Sequence, residues 1–596
     1  MKIKIKKLFS LFFAIGCVLF VFSCGTIKGG SEIFVPVDYS EERAVDIEID
    51  LVEKLSTENK IKSLWRAKIL YDKISSNKKC KQIFEQTTKI CVESCIRAID
   101  EEKYFDALGY YLSLEAAGYS ELNSIPKSKA ELETLAYKNV PGGSVPSVSN
   151  ASVSDMINGT VTVFVDKGIK IQRGIGYADA VLGSGFFISK DGYIVTNHHV
   201  IADMVDKKYE GFSRLYIKLA EDPDTRVPAK VVGYDKTLDL ALLKTEIDAP
   251  YVFALGSSSD LSVGDKVYAI GSPLGLEKTL TSGIISSTDR QLFTAGTVFQ
   301  VDAAINSGNS GGPLIDEKGR VQAVVFAGVQ NFQGLNFAIP VEYLKNELPF
   351  LFNGGEREHP WIASYGKTKR LPGSGAKNEG VAVFYVLPGG SADRAGIKED
   401  DVVISVNGEK INSLSDLQIA FMKQPSGIIT KLGILSSDGT ESEKIVYLEK
   451  RPSSPGYEFF KRDSLENSFY PMFGMKMVRV SPSNKKKYSI VRIIKGSVAD
   501  ETGFSENDPI ELLGIDFSLN ANVLYLVFLL RTLYETLKLS DFRLFAIVGI
   551  QNLISRRHCV PRRHCAALVN YRILPQYCAI LVSDKVCPKL FKYFIS

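Results

Sequence analysis

The 596 residues exceed what a single hydrophobic core normally holds, so several domains are expected. A hydrophobic fraction of 45% against 23% charged excludes a largely disordered chain. The net charge of +4 conceals an asymmetry: residues 551–596 carry eight Lys or Arg and one acid, so the rest is close to neutral and has no general pull toward nucleic acid or anionic lipid.

The chain opens with Lys2, Lys4, Lys6 and Lys7, an apolar run from Leu8 to Phe22, and Ser23-Cys24-Gly25. A basic segment, an apolar segment of this length and a small residue before the cut make an export signal. Val21-Phe22-Ser23-Cys24 also resembles a bacterial lipobox, which would make Cys24 a lipidated first residue and tether the chain to a membrane. A plain signal peptide or an uncleaved anchor helix is the alternative. All three versions place the remainder outside the cytoplasmic membrane.

Residues 40–135 read as helices, with Leu64, Ala67, Tyr71 and Ile74 on one face and Phe105, Leu108 and Leu112 on another. Ala98 to Gly118 weakly resembles a tetratricopeptide-type pair, but one such unit cannot bury its own face, which favours a small bundle. Cys91 and Cys95 lie one turn apart, and pairing of either with Cys80 is left open. The Pro-, Gly- and Ser-rich stretch 140–150 is a linker.

Short β-type runs follow, among them Thr160–Val165, Gly185–Ile188, Ile194–Thr196, Val267–Ile270 and Val321–Val325, which argue for an all-β barrel or sandwich. Within them stands Asn306-Ser-Gly-Asn-Ser310-Gly-Gly-Pro313. Glycines around a serine permit a tight turn and close approach of substrate, and the amides of Gly308 and Ser310 are placed to meet a developing oxyanion. Alone, such a stretch is also an ordinary turn. A serine nucleophile needs a base, and His198 and His199 end a strand pattern in Thr196-Asn-His-His-Val200. The carboxylate to orient an imidazole is Asp239, at the head of the apolar run Leu240–Leu243. Each feature has a bland explanation; all three together, in the order His, Asp, Ser, point to acyl transfer.

Gly183-Ser-Gly-Phe-Phe-Ile-Ser189, Asp191 to Val200, Asp239-Leu-Ala-Leu-Leu-Lys244, Gly271-Ser-Pro-Leu-Gly275, Thr281-Ser-Gly-Ile-Ile-Ser286, Asp302 to Leu314 and Asn336-Phe-Ala-Ile-Pro340 together resemble the protease domain of the HtrA (Deg) family. The resemblance implies a trypsin-like double β-barrel at 153–352 with catalytic His199, Asp239 and Ser310. The family pattern sets its catalytic histidine directly before valine, hence His199 and not His198. It implies an oxyanion hole at Gly308 and Ser310 and a substrate pocket at Ala304, Ile305, Asn336 and Phe337, where the small Ala304 suits an apolar side chain before the cut. No cofactor or metal is implied, and homotrimers or larger assemblies are.

Gly389-Gly-Ser-Ala-Asp393-Arg-Ala-Gly396 to Asp401 recurs 107 residues later as Gly496-Ser-Val-Ala-Asp500-Glu-Thr-Gly503 to Asp508. The copies resemble PDZ domains, small α/β modules that add an extended peptide to a sheet edge, often by its C-terminus. Trp361, Ile362 and Ala363 are the expected peptide-binding loop. The second copy departs from the pattern at Pro509. The division is then a signal peptide at 1–23, an α-helical domain at 24–139, a linker at 140–152, the protease domain at 153–352, PDZ modules at 358–450 and 465–545 (the latter degenerate), and a basic cysteine-containing tail at 546–596. His558-Cys559 and His564-Cys565 match no common zinc spacing. The expected function is a bacterial periplasmic serine endopeptidase acting on unfolded or misfolded proteins and peptide C-termini; the alternative is a peptide-binding chaperone or scaffold with a latent protease domain.

Overall fold

The computed structural model describes residues 41–138, 140, 152–172, 175–206, 213–271, 279–290, 296–306, 308–328, 335–370, 378–453, 455–481, 487–501, 503–520, 523–532, 541–548 and 578–583. The segment expected to be an export signal, with Cys24, and nearly all of the tail lie outside these. Among the described residues no helix is long and apolar enough to cross a membrane.

Among the described residues five α-helices form the first domain: Glu42–Glu58, Lys60–Lys73, Lys78–Asp100, Tyr104–Ala116 and Lys129–Ala136. Three of their starts are set by short polar side chains that accept otherwise unpaired amides: Asn59 from Lys62 and Asn77 from Lys79, each at 2.9 Å, and Ser128 in a capping box with Glu131. Leu64, Trp65, Leu108, Leu114 and Leu132 are buried between them, and Arg66 grips Glu48 with two hydrogen bonds of 2.6 and 2.7 Å. Cys80, Cys91 and Cys95 are buried free thiols. Burial pushes Cys91 up to about 12 and Cys95 up to about 11, so neither supplies a reactive thiolate near neutral pH.

Two six-stranded barrels follow. In the first, Val227–Asp235, Arg214–Leu219, Thr160–Gln172, Ile175–Phe187, Tyr193–Thr196 and Leu240–Thr245 pair in that order, and the last pairs back on the first. In the second, Pro313–Ile315, Val321–Gly328, Asn336–Pro340, Val298–Val301, Thr279–Arg290 and Lys266–Gly271 close a ring. Alternation along each strand fills the interiors, with Val161, Val163 and Val165 in one and Val267, Ala269 and Leu314 in the other. The opposite faces of several strands supply Phe186, Val195, Ile270, Val324 and Phe337 to a third core. The barrels are thereby locked together along a common seam.

The first PDZ module is the sheet Ser364–Arg370, Asn378–Val386, Val402–Val406, Ile429–Leu435 and Glu441–Tyr447, with helices Ser391–Arg394 and Leu414–Met422. The repeat has a hydrogen-bonding cause. Asp393 accepts from the Gly389 amide and Asp500 from Gly496, at 2.8 and 2.7 Å; Asp401 accepts from Lys398 and Asp508 from Ser505, each at 2.8 Å. Asp400 and Asn507 both take left-handed backbone, at φ 69° and 71°. Pro509 is the first residue of the strand Pro509–Asn520, a position that needs no ladder donor. Val523–Thr532 and Asp541–Val548 extend that sheet, and Cys578–Ser583 adds a strand from the tail.

The helical domain packs on the far strands of the first PDZ module. The Trp65 indole donates to Ile445 O at 3.0 Å, Asn59 donates to the Tyr447 hydroxyl at 2.9 Å, and the Ile429 amide donates to Ser113 Oγ at 3.2 Å. Trp65 is fully buried at this junction. Trp65→Ala is expected to cost about 3–5 kcal/mol of unfolding free energy, and Trp65→Phe less because most of the volume stays filled. Urea denaturation of the full chain measures both.

Candidate active site

The seam between the barrels is assembled from both sides. From the first barrel, strand Tyr193–Thr196 delivers Asn197, and a helix, His198–Val205, begins immediately after. Asn197 Nδ2 donates to the Asp239 carbonyl at 2.8 Å. Asp239 adopts left-handed backbone at φ 57°, which Asp tolerates better than most residues. This turns its carboxylate onto His199 twice: Oδ1 accepts the His199 amide at 2.8 Å, and Oδ2 meets ring Nδ1 at 2.6 Å. The ring is thus held by a contact that leaves Nε2 free to act as base, the orientation an acyl-transfer histidine needs.

From the second barrel comes Ser310, half-buried, on a loop that is almost wholly tied down. Gly311 N donates to Val325 O at 2.7 Å and Gly312 N to Asn309 O at 2.9 Å. Gly308 has φ 108° and Gly311 φ 87°; a β-carbon on Gly311 would sit 2.2 Å from Ser184 O, so both must be glycine. Ser184, from the first barrel, clamps the loop across the seam: its amide donates to Ser310 O at 2.7 Å and its hydroxyl to Gly308 O at 2.6 Å. Thr196 Oγ1 in turn donates to Ser184 O at 2.7 Å. The Ser310 hydroxyl donates to Phe326 O at 3.2 Å, and among the described residues it makes no direct hydrogen bond to the His199 ring.

Four family models match stretches of the chain. A family model described as a trypsin-like peptidase domain matches residues 183–324 and a PDZ domain model matches 366–435. A TP0546 family PDZ domain matches 456–533, and a domain of unknown function, DUF8517, matches 43–136. A probable periplasmic serine endoprotease, DegP-like, from Marinomonas is 32% identical over 56% of this chain and 70% of its own length. The chain belongs to the HtrA/Deg family. A Bartonella henselae protein of the same description is 38% identical over 46% of this chain and 54% of its own. One from Hahella chejuensis is 38% identical over 39% and 50%, so the chain spans about half the length of these last two. The HtrA-type protease AlgW solved with a decapeptide is 24% identical, covers 51% of this chain and 99% of its own, and has a TM-score of 0.41.

In this HtrA-family chain the two adjacent histidines have opposite environments. His198 stacks on Tyr234 at 5.4 Å, and burial holds it below the ordinary histidine value despite the nearby charge of Asp239. Burial also disfavours charge on His199, but the charge and hydrogen bond of Asp239 outweigh it and raise the ring above the ordinary value. Of the expected substrate pocket, Ala304 is exposed and Ile305 half-buried. Asn336 donates to Ala303 O at 2.8 Å and Phe337 packs in the core between the barrels. Ile362 and Ala363 are buried, and Trp361 rests on Phe459 with ring centres 6.0 Å apart, so the helix Pro455–Arg462 covers the expected peptide loop. Gly271 is described, whereas Ser272 to Gly275 lie outside the described residues.

Sequence reasoning assigned no role to Ser184, Thr196 or Asn197, although all three lie inside the family-like stretches quoted above. Nor did it find Asp235, whose Oδ1 accepts the amides of Thr237 and Leu238 at 2.7 and 3.1 Å and shapes the turn into Asp239. Asp235, Glu347 and His359 bring potential ligand atoms within 4.8 Å of one another. Glu347 already receives Arg357 Nε at 2.7 Å, and a guanidinium at that distance opposes a cation.

Two outcomes follow from these contacts. An NMR titration of the histidine ring protons should place His199 above about 6.5, and Asp239→Asn should drop it below, because burial then acts unopposed. Ser184→Ala leaves the buried Gly308 carbonyl without its donor and should cost about 1–3 kcal/mol in urea unfolding.

Proposed function

We propose that the chain is a serine endopeptidase of the bacterial periplasm that cuts unfolded or damaged proteins. The observation that carries this reading is the two-point hold of Asp239 on His199 in one barrel, together with a serine on a glycine-rich loop of the other barrel that Ser184 clamps across the seam. The Ser310 hydroxyl leaves Phe326 O and gives its proton to His199 Nε2 while Oγ bonds to the scissile carbonyl carbon. The amides of Gly308 and Ser310 hold the resulting oxyanion. Protonated His199, stabilised by Asp239, passes the proton to the departing amine as the C–N bond breaks; water then repeats the sequence to release the acid. A small apolar residue before the cut follows from Ala304 at the pocket.

The periplasmic setting rests on the expected export signal and on relatives described as periplasmic endoproteases. Attachment through lipid at Cys24, peptide capture by the PDZ modules, and trimerisation belong to the same proposal; the loop Trp361 to Ala363, which Phe459 covers, is not the capture point in this structure. A second reading, a peptide-binding scaffold with a latent protease, is favoured by one feature: the Ser310 hydroxyl is bonded to Phe326 O and not to His199.

A fluorophosphonate probe and a casein digestion separate the two. The endopeptidase reading expects covalent labelling of Ser310 and casein cleavage, with both lost in Ser310→Ala by at least about 10⁴-fold. A folded chain that binds casein but is neither labelled nor cleaves it establishes the scaffold reading instead.

A further inference from the structure

The segment joining the protease domain to the first PDZ module is built into the back of the active site. Helix Val341–Asn353 ends at Gly354, and Gly355–Glu356 then adds in parallel to strand Val227–Asp235, pairing with Gly233 and Tyr234. The Arg357 amide donates to Tyr234 O at 2.8 Å, and the Tyr234 ring lies against His198. Two residues on, His359 Nε2 donates to Asp235 Oδ2 at 2.8 Å. Asp235 is fully buried and His359 is 6% exposed.

The two oxygens of Asp235 therefore have different tasks. Oδ1 holds the Thr237 and Leu238 amides, which fix the turn that delivers Asp239 in its left-handed conformation. Oδ2 takes its partner from the interdomain segment. An Asp buried this deeply is costly unless both oxygens are matched, so loss of the His359 contact must be relieved by rotation of the carboxylate or by water entry. Either disturbs the turn four residues from the group that orients the base.

The same segment is anchored on the PDZ side. Arg357 Nη2 donates to Met422 O and Gln424 O at 3.0 and 2.9 Å, at the end of helix Leu414–Met422. The Arg451 amide donates to His359 O at 2.8 Å. Glu347, from the last helix of the protease domain, completes the cluster through Arg357. The seat of the PDZ module and the approach to Asp239 thus share one buried network.

We infer that His359 is a positioning residue for the reaction at Ser310: through Asp235 it sets the turn that aims Asp239 at His199, and it ties that aim to the docking of the first PDZ module. The inference rests on the endopeptidase reading above. It requires that removal of the His359 donor slow the chemical step without weakening substrate binding. It also requires that the effect act through Asp239.

The test uses the full chain, with active sites counted by fluorophosphonate titration so that unfolded molecules do not enter the rate. His359→Leu should lower kcat on a peptide substrate about tenfold and leave KM within about twofold. His359→Gln, whose amide can still donate to Asp235, should restore most of the rate. In an Asp239→Asn background, His359→Leu should change the residual rate less than twofold. A His359→Leu enzyme as fast as wild type, a loss confined to KM, or a tenfold loss that persists in the Asp239→Asn background would each overturn the inference. If His359→Leu does not fold, His359→Asn, too short to reach Asp235, takes its place under the same criteria. An unlabelled wild-type chain overturns the endopeptidase reading itself, and this inference with it, whereas a labelled wild type with an equally fast variant overturns this inference alone.

Discussion

The hydrogen bonds from His199 to the Asp239 carboxylate are the contact around which the site is arranged. One oxygen holds the main-chain amide and the other the ring nitrogen, at 2.8 and 2.6 Å, so the imidazole is fixed in both position and orientation by a single side chain. That geometry requires Asp239 to leave the ordinary backbone regions. The surrounding structure holds it there: Asn197 takes its carbonyl, Asp235 ties down the preceding turn, and the strand Leu240–Thr245 starts immediately after. A left-handed residue costs on the order of 1–2 kcal/mol, which persists only where neighbours over-determine it.

The second constraint is that base and nucleophile come from different barrels. Their relative position is only as good as the seam between the barrels. The buried cluster of Phe186, Val195, Ile270, Val324 and Phe337 supplies the bulk of that rigidity, and Ser184 supplies the local registration by bonding both Gly308 and Ser310. The same residue receives Thr196, two positions before the histidine pair. Ser184 therefore bonds the serine loop across the seam while Thr196 holds it within its own barrel.

The barrels, the PDZ repeat and the histidine, aspartate and serine were legible because each is written in a short stretch with its own reason. Glycine is forced at Gly308 and Gly311 by backbone angle, and the Asp393 and Asp500 copies by identical turn hydrogen bonds. What stayed hidden involves partners far apart in the chain. His359 and Asp235 are 124 residues apart, and neither lies in a pattern that names the other. Trp65 and Ile445 are separated by 380, so the helices were readable but their seat on the PDZ module was not. The three cysteines left open as possible partners are buried free thiols, a matter of which helix faces meet and not of spacing. Likewise, Trp361 to Ala363 match a loop pattern, yet only the folded chain places Phe459 over them.

The distribution of polar contacts also separates what moves from what does not. The Ser310 loop is fastened at Gly308, Ser310, Gly311 and Gly312, while the hydroxyl itself rests on Phe326 O, a single contact at 3.2 Å. Attack needs that bond to Phe326 O given up for one to His199. A crystal structure of the full chain treated with a peptidyl phosphonate tests this most directly. The account predicts phosphorus bonded to Ser310 Oγ, a phosphonyl oxygen on the amides of Gly308 and Ser310, and His199 still held at both points by Asp239. An unmodified Ser310 still bonded to Phe326 O, or a histidine ring parted from Asp239, would contradict it.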